Sequence, residues 1–287
     1  AISAVGNIVL DLLFVAVLPW GIAGAAAATV LSQYASGVGI AIYVAKKTPE
    51  LLPKRGEMKL QKTVFREIGS LSALTCLQQS VMNFGILMVQ GLVNSFGTVI
   101  MAAFAAAVKI DTFAYLPVQD FGNAFSTFVA QNYGAGCYER AHRSLFYAMG
   151  LSLVCALVMF YLAFFQGDLL SYIFASDAAV IAASADYLKA YAIDCMLTPF
   201  LFCFTGYYNG CEKTLFVMIQ GIIGAFFVRI PVAYLMSRMA GATLFQIGLS
   251  TPASSVVQIL LCLSMFLFLE RRSAGQSHAS LKGSADP

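Results

Sequence analysis

The sequence predicts an all-α protein that crosses a membrane many times. Three observations predict it. Hydrophobic residues make up 60% of the 287 positions and charged residues only 11%, where an ordinary soluble domain carries about 25% charge. The mean hydropathy is +0.79. The apolar residues fall into eight stretches, 2–19, 23–45, 68–93, 98–131, 144–166, 179–208, 215–237 and 244–269. Most of them exceed the roughly 20 residues a bilayer-spanning helix needs.

The polar segments between these stretches predict sidedness. Lys46, Lys47, Lys54, Arg55, Lys59, Lys62 and Arg66 cluster between the second and third stretches. Basic residues beside helix ends stay in the cytoplasm. Alternation then puts 132–143 (Arg140, Arg143), 209–214 (Lys213) and everything after Glu270 on the same side. In the expected external loops, 20–22, 94–97, 167–178 and 238–243, only Arg238 is basic. The expected protein is therefore multi-pass in the plasma (inner) membrane with a cytoplasmic C-terminus. Residues 273–287, rich in Ser, Gly and Ala without an apolar period, are expected to be a disordered tail.

Stretch 98–131 holds the polar residues that suggest a function. Charges at membrane depth cost about 2.5 to 3.5 kcal/mol each on insertion scales, so they face a bundle interior or a wet cavity. Lys109, Thr112, Asp120, Asn123, Thr127 and Gln131 follow one helical face; Asp111, Tyr115 and Gln119 follow another. Pro117, lacking an amide N–H, predicts a kink between Asp111 and Asp120. Such a helix suits a transport path. Asp120 is the first candidate for a coupling or substrate-contacting acid, since a carboxylate there can exchange protons or, with Asn123, coordinate sodium; its alternative is a partner for Lys109 or Arg229. Lys109 lies roughly 16 Å along the axis from Asp120, so any ion-pair partner must come from another helix.

Stretch 179–208 carries a second stripe, Tyr187, Tyr191, Asp194, Thr198 and Thr205. Aromatic faces can hold organic cations, and Asp194 can supply a countercharge for a cation or sodium; hydrogen bonding between helices is the alternative. Arg229 in an apolar stretch calls for a carboxylate partner. Gln78, Gln79 and Asn83 can line a cavity or serve packing. The seven cysteines form no CxxC pair and the two histidines lie in a loop and a tail. No metal centre, disulfide framework, nucleophile–base pair or cofactor site is expected, and no enzyme.

One internal echo suggests duplication. Ala28-Thr-Val-Leu-Ser-Gln33 precedes Lys46-Lys47 by the same twelve residues that separate Ala253-Ser-Ser-Val-Val-Gln258 from Arg271-Arg272. Both helices run in the same predicted direction, as in lobes related by an axis along the membrane normal.

Five stretches resemble one family: Asn7-Ile-Val-Leu-Asp11; Gly21-Ile-Ala-Gly-Ala-Ala-Ala-Ala-Thr29 with Gln33; Leu77-Gln78-Gln79-Ser80; Gln131-Asn-Tyr-Gly-Ala-Gly136; and Glu139-Arg140. The chain resembles the multidrug and toxic compound extrusion (MATE) family. The resemblance implies twelve helices in two six-helix lobes around a central cavity that rocks between outward- and inward-open states. On that reading residues 1–46 are the last two helices of an N-lobe, 47–67 a cytoplasmic inter-lobe loop, 68–272 a complete C-lobe and 273–287 the tail. About four helices are expected upstream of a chain that begins within a helix. The implied activity is antiport of small organic cations against sodium ions or protons, by a protein monomeric at full length, without cofactor or nucleic acid. The rival is a flippase-like exporter of a lipid-linked or polysaccharide cargo, which a strongly basic cavity would favour. The expected cavity residues are Asp120, Asp194, Asp111, Asn123, Lys109, Tyr115, Gln119, Tyr191, Thr198 and Gln79, with sodium at Asp120 or Asp194. One branch of the family has a glutamate in the seventh helix and an aspartate in the tenth. Here 68–93 has no acid, and the nearest counterpart in the tenth is Thr198, with Asp194 one turn earlier. That branch's sodium site is therefore not transferred whole.

Overall fold

The computed structural model describes residues 2–49, 61–239 and 241–283. Every regular element among them is helical. Seven helices are long and apolar enough to cross a membrane, and a shorter apolar helix, Ala4–Val17, stands at the first predicted stretch. Contacts divide the chain into two units, Ala1–Arg66 and Glu67–Pro287. Much of the basic loop, including Lys54, Arg55 and Lys59, lies outside the described residues.

In the first unit, α1 (Ile2–Asp11) continues as a π-turn over Leu12–Val17 and is followed by α2 (Gly21–Lys47). The two meet where Gly24 leaves room: a Cβ there would sit 3.0 Å from both the carbonyl oxygen and the Cβ of Phe14. The Trp20 ring stacks on Phe14 at 5.1 Å. Ala28 and Ser32, in the echo segment, are the buried residues at the centre of α2. In this unit the Asn7 amide nitrogen and one Asp11 carboxylate oxygen are buried without a hydrogen-bond partner.

The second unit contains most of α3 (Lys62–Val93), then α4 (Thr98–Gly134), α5 (Tyr138–Phe165), the short α6 (Gly167–Tyr172), α7 (Ala178–Gly210), α8 (Thr214–Ile222), α9 (Ile230–Ser237), α10 (Leu244–Gly248) and α11 (Ser250–Gly283). A π-turn over Ile223–Arg229 joins α8 to α9 in one span. Pro231 explains its place. Proline cannot return a hydrogen bond to the preceding turn, and a widened turn absorbs the mismatch. Caps fix the entries: the Asp177 carboxylate accepts the Ala179 N–H at 2.8 Å, and Thr243 with Gln246 closes a capping box.

Helix α7 is the axis of this unit. It lies against α4, α5, α6, α10 and α11, and 17 of its residues are buried. Its approach to α4 uses backbone. Gly206 faces the carbonyl of Gly122, a Cβ on Gly122 would lie 2.9 Å from the Phe202 carbonyl, and one on Gly210 would lie 2.7 Å from that of Ser126. Small residues permit this proximity, which drives helix association in lipid where the hydrophobic effect between helices is absent.

Two apolar clusters flank the middle of α7. One gathers Val93, Phe104, Ile110, Leu188, Tyr191 and Ile247; the other Val129, Leu145, Phe204, Tyr208, Val217 and Phe266. The outward residues are apolar as well. On α5, Tyr147, Leu151 and Val154 are 78%, 62% and 60% exposed, the reverse of a soluble protein and the pattern of a lipid-facing helix.

Three boundaries differ from expectation. Helix α3 begins at Lys62 rather than 68. Helix α11 continues through Gly283, beyond the membrane-length span Leu244–Leu269 that α10 and α11 form together, where a disordered tail was expected from 273. Extending an existing helix needs no new nucleus, and Ala274, Gln276, Ala279, Leu281 and Lys282 are adequate helix formers. The first predicted stretch, 2–19, is broken by its π-turn into a shorter helix.

Candidate functional site

The second unit holds a cavity of about 140 Å³, walled by α3, α4, α7, the α8–α9 span and α11. One of its ends is ionic. Asp111 and Tyr115 reach it from α4, Tyr191, Asp194 and Thr198 from α7, Arg229 from the π-turn, and Ser255 from α11. The other end carries amides: Gln78 and Gln79 from α3, Gln220 from α8 and Gln258 from α11.

Local structure explains the ionic end. Asp111 lies seven residues, or about −20°, from the buried Val118, so it shares the face that α4 turns toward α7. The Tyr191 hydroxyl lies 3.5 Å from the Asp111 backbone carbonyl and points its proton there. Asp194, 6% exposed, holds the Thr198 hydroxyl 3.4 Å from its Oδ2, while that hydroxyl also donates to the Asp194 carbonyl at 2.8 Å. The Oδ1 atom of Asp194 is buried with no hydrogen-bond partner. Arg229 is the basic group whose charge acts on both acids, yet among the described residues the ion pairs within 4.0 Å are Glu139–Arg143 and Asp186–Lys189. Its Nε is buried and unpartnered. With both carboxylates ionised, the group carries one net negative charge.

The amide end is fixed by α11 against the π-turn. The Ser254 hydroxyl donates to the Gly224 carbonyl at 2.8 Å, and Gln258 Nε2 donates to Ser254 Oγ at 2.9 Å. The Gln258 side chain fills the space a Cβ on Gly224 would occupy. The Oε1 atoms of Gln78 and Gln220 are buried without partners.

Of the residues singled out from the sequence, the structure brings Asp111, Tyr115, Tyr191, Asp194, Thr198 and Gln79 together around this cavity. Gln119 is half-buried and hydrogen-bonds with Tyr115. Asp120, Asn123 and Lys109 do not line the cavity. With Thr112, Thr127 and Gln131 they form an exposed stripe on the opposite side of α4. Gln220, Ser254, Ser255 and Gln258 were not singled out individually. The signal for the last three lay in the echo segment, whose small polar residues repeat at helical spacing.

The Gln131–Gly136 element is a helix end. Asn132 Nδ2 donates to the Phe128 carbonyl at 2.7 Å, Cys137 N–H returns to the Asn132 carbonyl at 2.8 Å, and Gly136 adopts φ +73°. Arg140 covers the Phe128 ring at 5.8 Å. In the turn between α7 and α8, burial pushes the Cys211 thiol up to about 11.

Comparison with known proteins decides the family. The family model MatE matches residues 72–235, more than half of the chain. The chain belongs to the MATE family. MATE proteins are integral, multi-pass membrane transporters rather than enzymes. The chain is 27% identical over 254 residues to the probable multidrug resistance protein YpnP of Bacillus subtilis, covering 87% of this chain and 56% of that protein. It is 26% identical over 229 residues to the probable multidrug resistance protein NorM of Thermotoga maritima, covering 80% and 48%. The chain thus spans about half the length of these MATE relatives. A solved outward-facing multidrug resistance MATE transporter of the MOP superfamily superposes with a TM-score of 0.85 at 18% identity, over 96% of this chain and 62% of that one. At that identity the likeness shows the MATE fold alone.

Proposed function

We propose that the chain forms part of a multidrug efflux antiporter that exports organic cations in exchange for sodium ions or protons. The observation that carries the reading is Asp194 Oδ1, a buried carboxylate oxygen without a partner in a cavity that also holds Asp111. A buried unpaired charge is costly, and a bound cation or proton removes the cost. Competition between coupling ion and substrate for the same carboxylates would make each displace the other, as linkage requires. The relatives named as probable multidrug resistance proteins support the multidrug efflux part of this reading. The buried, unpartnered carboxylate oxygen of Asp11 offers a second cation-binding position in the first unit. The exposed Lys109–Gln131 stripe faces an aqueous path, since such a stripe is too costly against acyl chains. Lys46, Lys47, Lys62, Arg66, Arg140, Arg143 and Lys213 support a cytoplasmic side for their helix ends and for the C-terminus.

The test uses the full-length protein in proteoliposomes loaded with a fluorescent organic cation, with sodium and proton gradients imposed separately. Export driven by one gradient, and lost in Asp194→Asn, is the expected result. Cation movement independent of both gradients, or no movement at all, overturns the reading in favour of a flippase-like exporter.

A further inference from the structure

We propose that Ser254 and Gln258 form a latch that holds Arg229 off Asp194 and so keeps the carboxylate open to a bound cation. This rests on the cation-transport reading above and assigns positioning residues to that same site.

The latch accounts for a pair left unmade. Asp111, Asp194 and Arg229 line one cavity, yet the ion pairs within 4.0 Å among the described residues are Glu139–Arg143 and Asp186–Lys189. Asp194 Oδ1 and Arg229 Nε are each buried without a hydrogen-bond partner. Buried polar groups are nearly always paired, and opposite charges attract more strongly away from water. Contact between the two side chains would satisfy both atoms at once. Something must hold them apart.

Consecutive residues of α11 supply the restraint. The Ser255 side chain reaches the Asp194 carboxylate. Its neighbour Ser254 donates to the Gly224 carbonyl at 2.8 Å. Gly224 lies in the π-turn Ile223–Arg229, whose last residue carries the guanidinium. Gln258, one turn further along α11, donates to Ser254 Oγ at 2.9 Å and fills the space a Cβ on Gly224 would take. Ser254 and Ser255 are 3% and 5% exposed, so neither has room to shift. The Arg229 stem is backed from α3, where a Cβ on Gly85 would lie 4.0 Å from its Cδ. The two serines thus fix the carboxylate and the turn that bears the arginine to one rigid helix.

The functional consequence is competition. Arg229 is a tethered cation, and whenever it closes on Asp194 it occupies the site that a free cation needs. The apparent affinity for the free cation falls with the fraction of molecules left open. A hydrogen-bonded turn keeps that fraction high, and loosening the turn lets the attraction between the two charges close the site.

The experiment measures displacement of a fluorescent organic cation from the purified full-length protein. Ser254→Ala should weaken binding by about three- to tenfold, the worth of one hydrogen bond. In an Arg229→Gln background the same substitution should have no such effect, because no tethered cation remains to close the site. Gln258→Leu should repeat this dependence on Arg229, and it reports where Ser254→Ala fails to fold. Equal weakening in both backgrounds overturns the proposal, since a serine that only supports packing, or that touches the cation itself, acts without Arg229. Unchanged affinity in both Ser254→Ala and Gln258→Leu also overturns it. Asp194→Asn run alongside separates the two readings: if it binds the cation as the parent does, the cation reading falls and takes the latch with it, whereas equal weakening in both backgrounds removes the latch alone.

Discussion

The charge balance of the ionic end makes a compensation experiment decisive. Asp111, Asp194 and Arg229 share one cavity and sum to one negative charge when both acids are ionised. Asp194→Asn is nearly isosteric and brings the sum to zero. A monovalent cation about 5 Å from the lost charge, in an effective dielectric near 20, forfeits about 3 kcal/mol of attraction. Part of this returns because the neutral site costs less to desolvate, so the net loss should be about 1.5 to 3 kcal/mol, or roughly 10- to 150-fold in affinity. Arg229→Gln in the same background restores the single negative charge and should recover most of the loss. Arg229→Gln alone should bind cations more tightly than the parent. Asp120→Asn, on the exposed side of α4, should stay within about twofold in this assay. The measurement is displacement of a fluorescent organic cation from the purified full-length protein, with gel filtration to confirm folding. Asp194→Asn with unchanged affinity would refute the assignment of the site. A double variant no better than Asp194→Asn would refute the argument from net charge.

Three further outcomes are expected. Gly206→Ala places a Cβ against the Gly122 carbonyl and should cost about 1 to 3 kcal/mol, seen as a lower unfolding temperature in detergent, whereas Gly91→Ala, with open space around it, should be neutral or stabilising. Tyr208→Phe removes the 2.7 Å hydrogen bond from its buried hydroxyl to the Cys262 carbonyl and should cost about 1 kcal/mol in the same assay. Iodoacetamide at pH 8 should modify the exposed Cys137 and spare Cys211, which is buried and protonated until the pH nears about 11. Mass spectrometry after brief labelling distinguishes the two, and equal modification would contradict the packing of the α7–α8 turn.

The fold was legible because bilayer length and hydropathy constrain helices more tightly than local propensity does. The two polar stripes of α4 were legible too, as periodicities. Their relation to neighbouring helices was not. Asp120 and Asp111 each belong to a stripe, and the stripe alone does not say which side meets α7. The deciding clue is Gly122, because a small residue marks the packing face. Asp120 lies about 200° from it, while Asp111 aligns with the same face through Val118. Gln220 stayed hidden for a different reason. A single uncharged amide in an apolar helix is common, and only its burial without a partner, together with Gln78 across the cavity, gives it meaning. Arg229 was recognisable as needing acids, but the π-turn that delivers it follows from Pro231 and the fit of Gln258 over Gly224, which no periodicity encodes.

The glycine contacts between α4 and α7 have a mechanical consequence. Where two backbones touch, the helices behave as one beam, and neither can slide or rotate without the other. Pro117 and Pro199 interrupt their respective hydrogen-bond ladders beyond this joint, toward the end that carries Asp111 and Asp194. Bending stiffness is thus high at Gly122, Gly206 and Gly210 and low one to two turns away in both members at once. A load applied to the carboxylates flexes the beam at its prolines rather than prying its members apart. Bending at both prolines at once would carry Asp111 and Asp194 in the same direction.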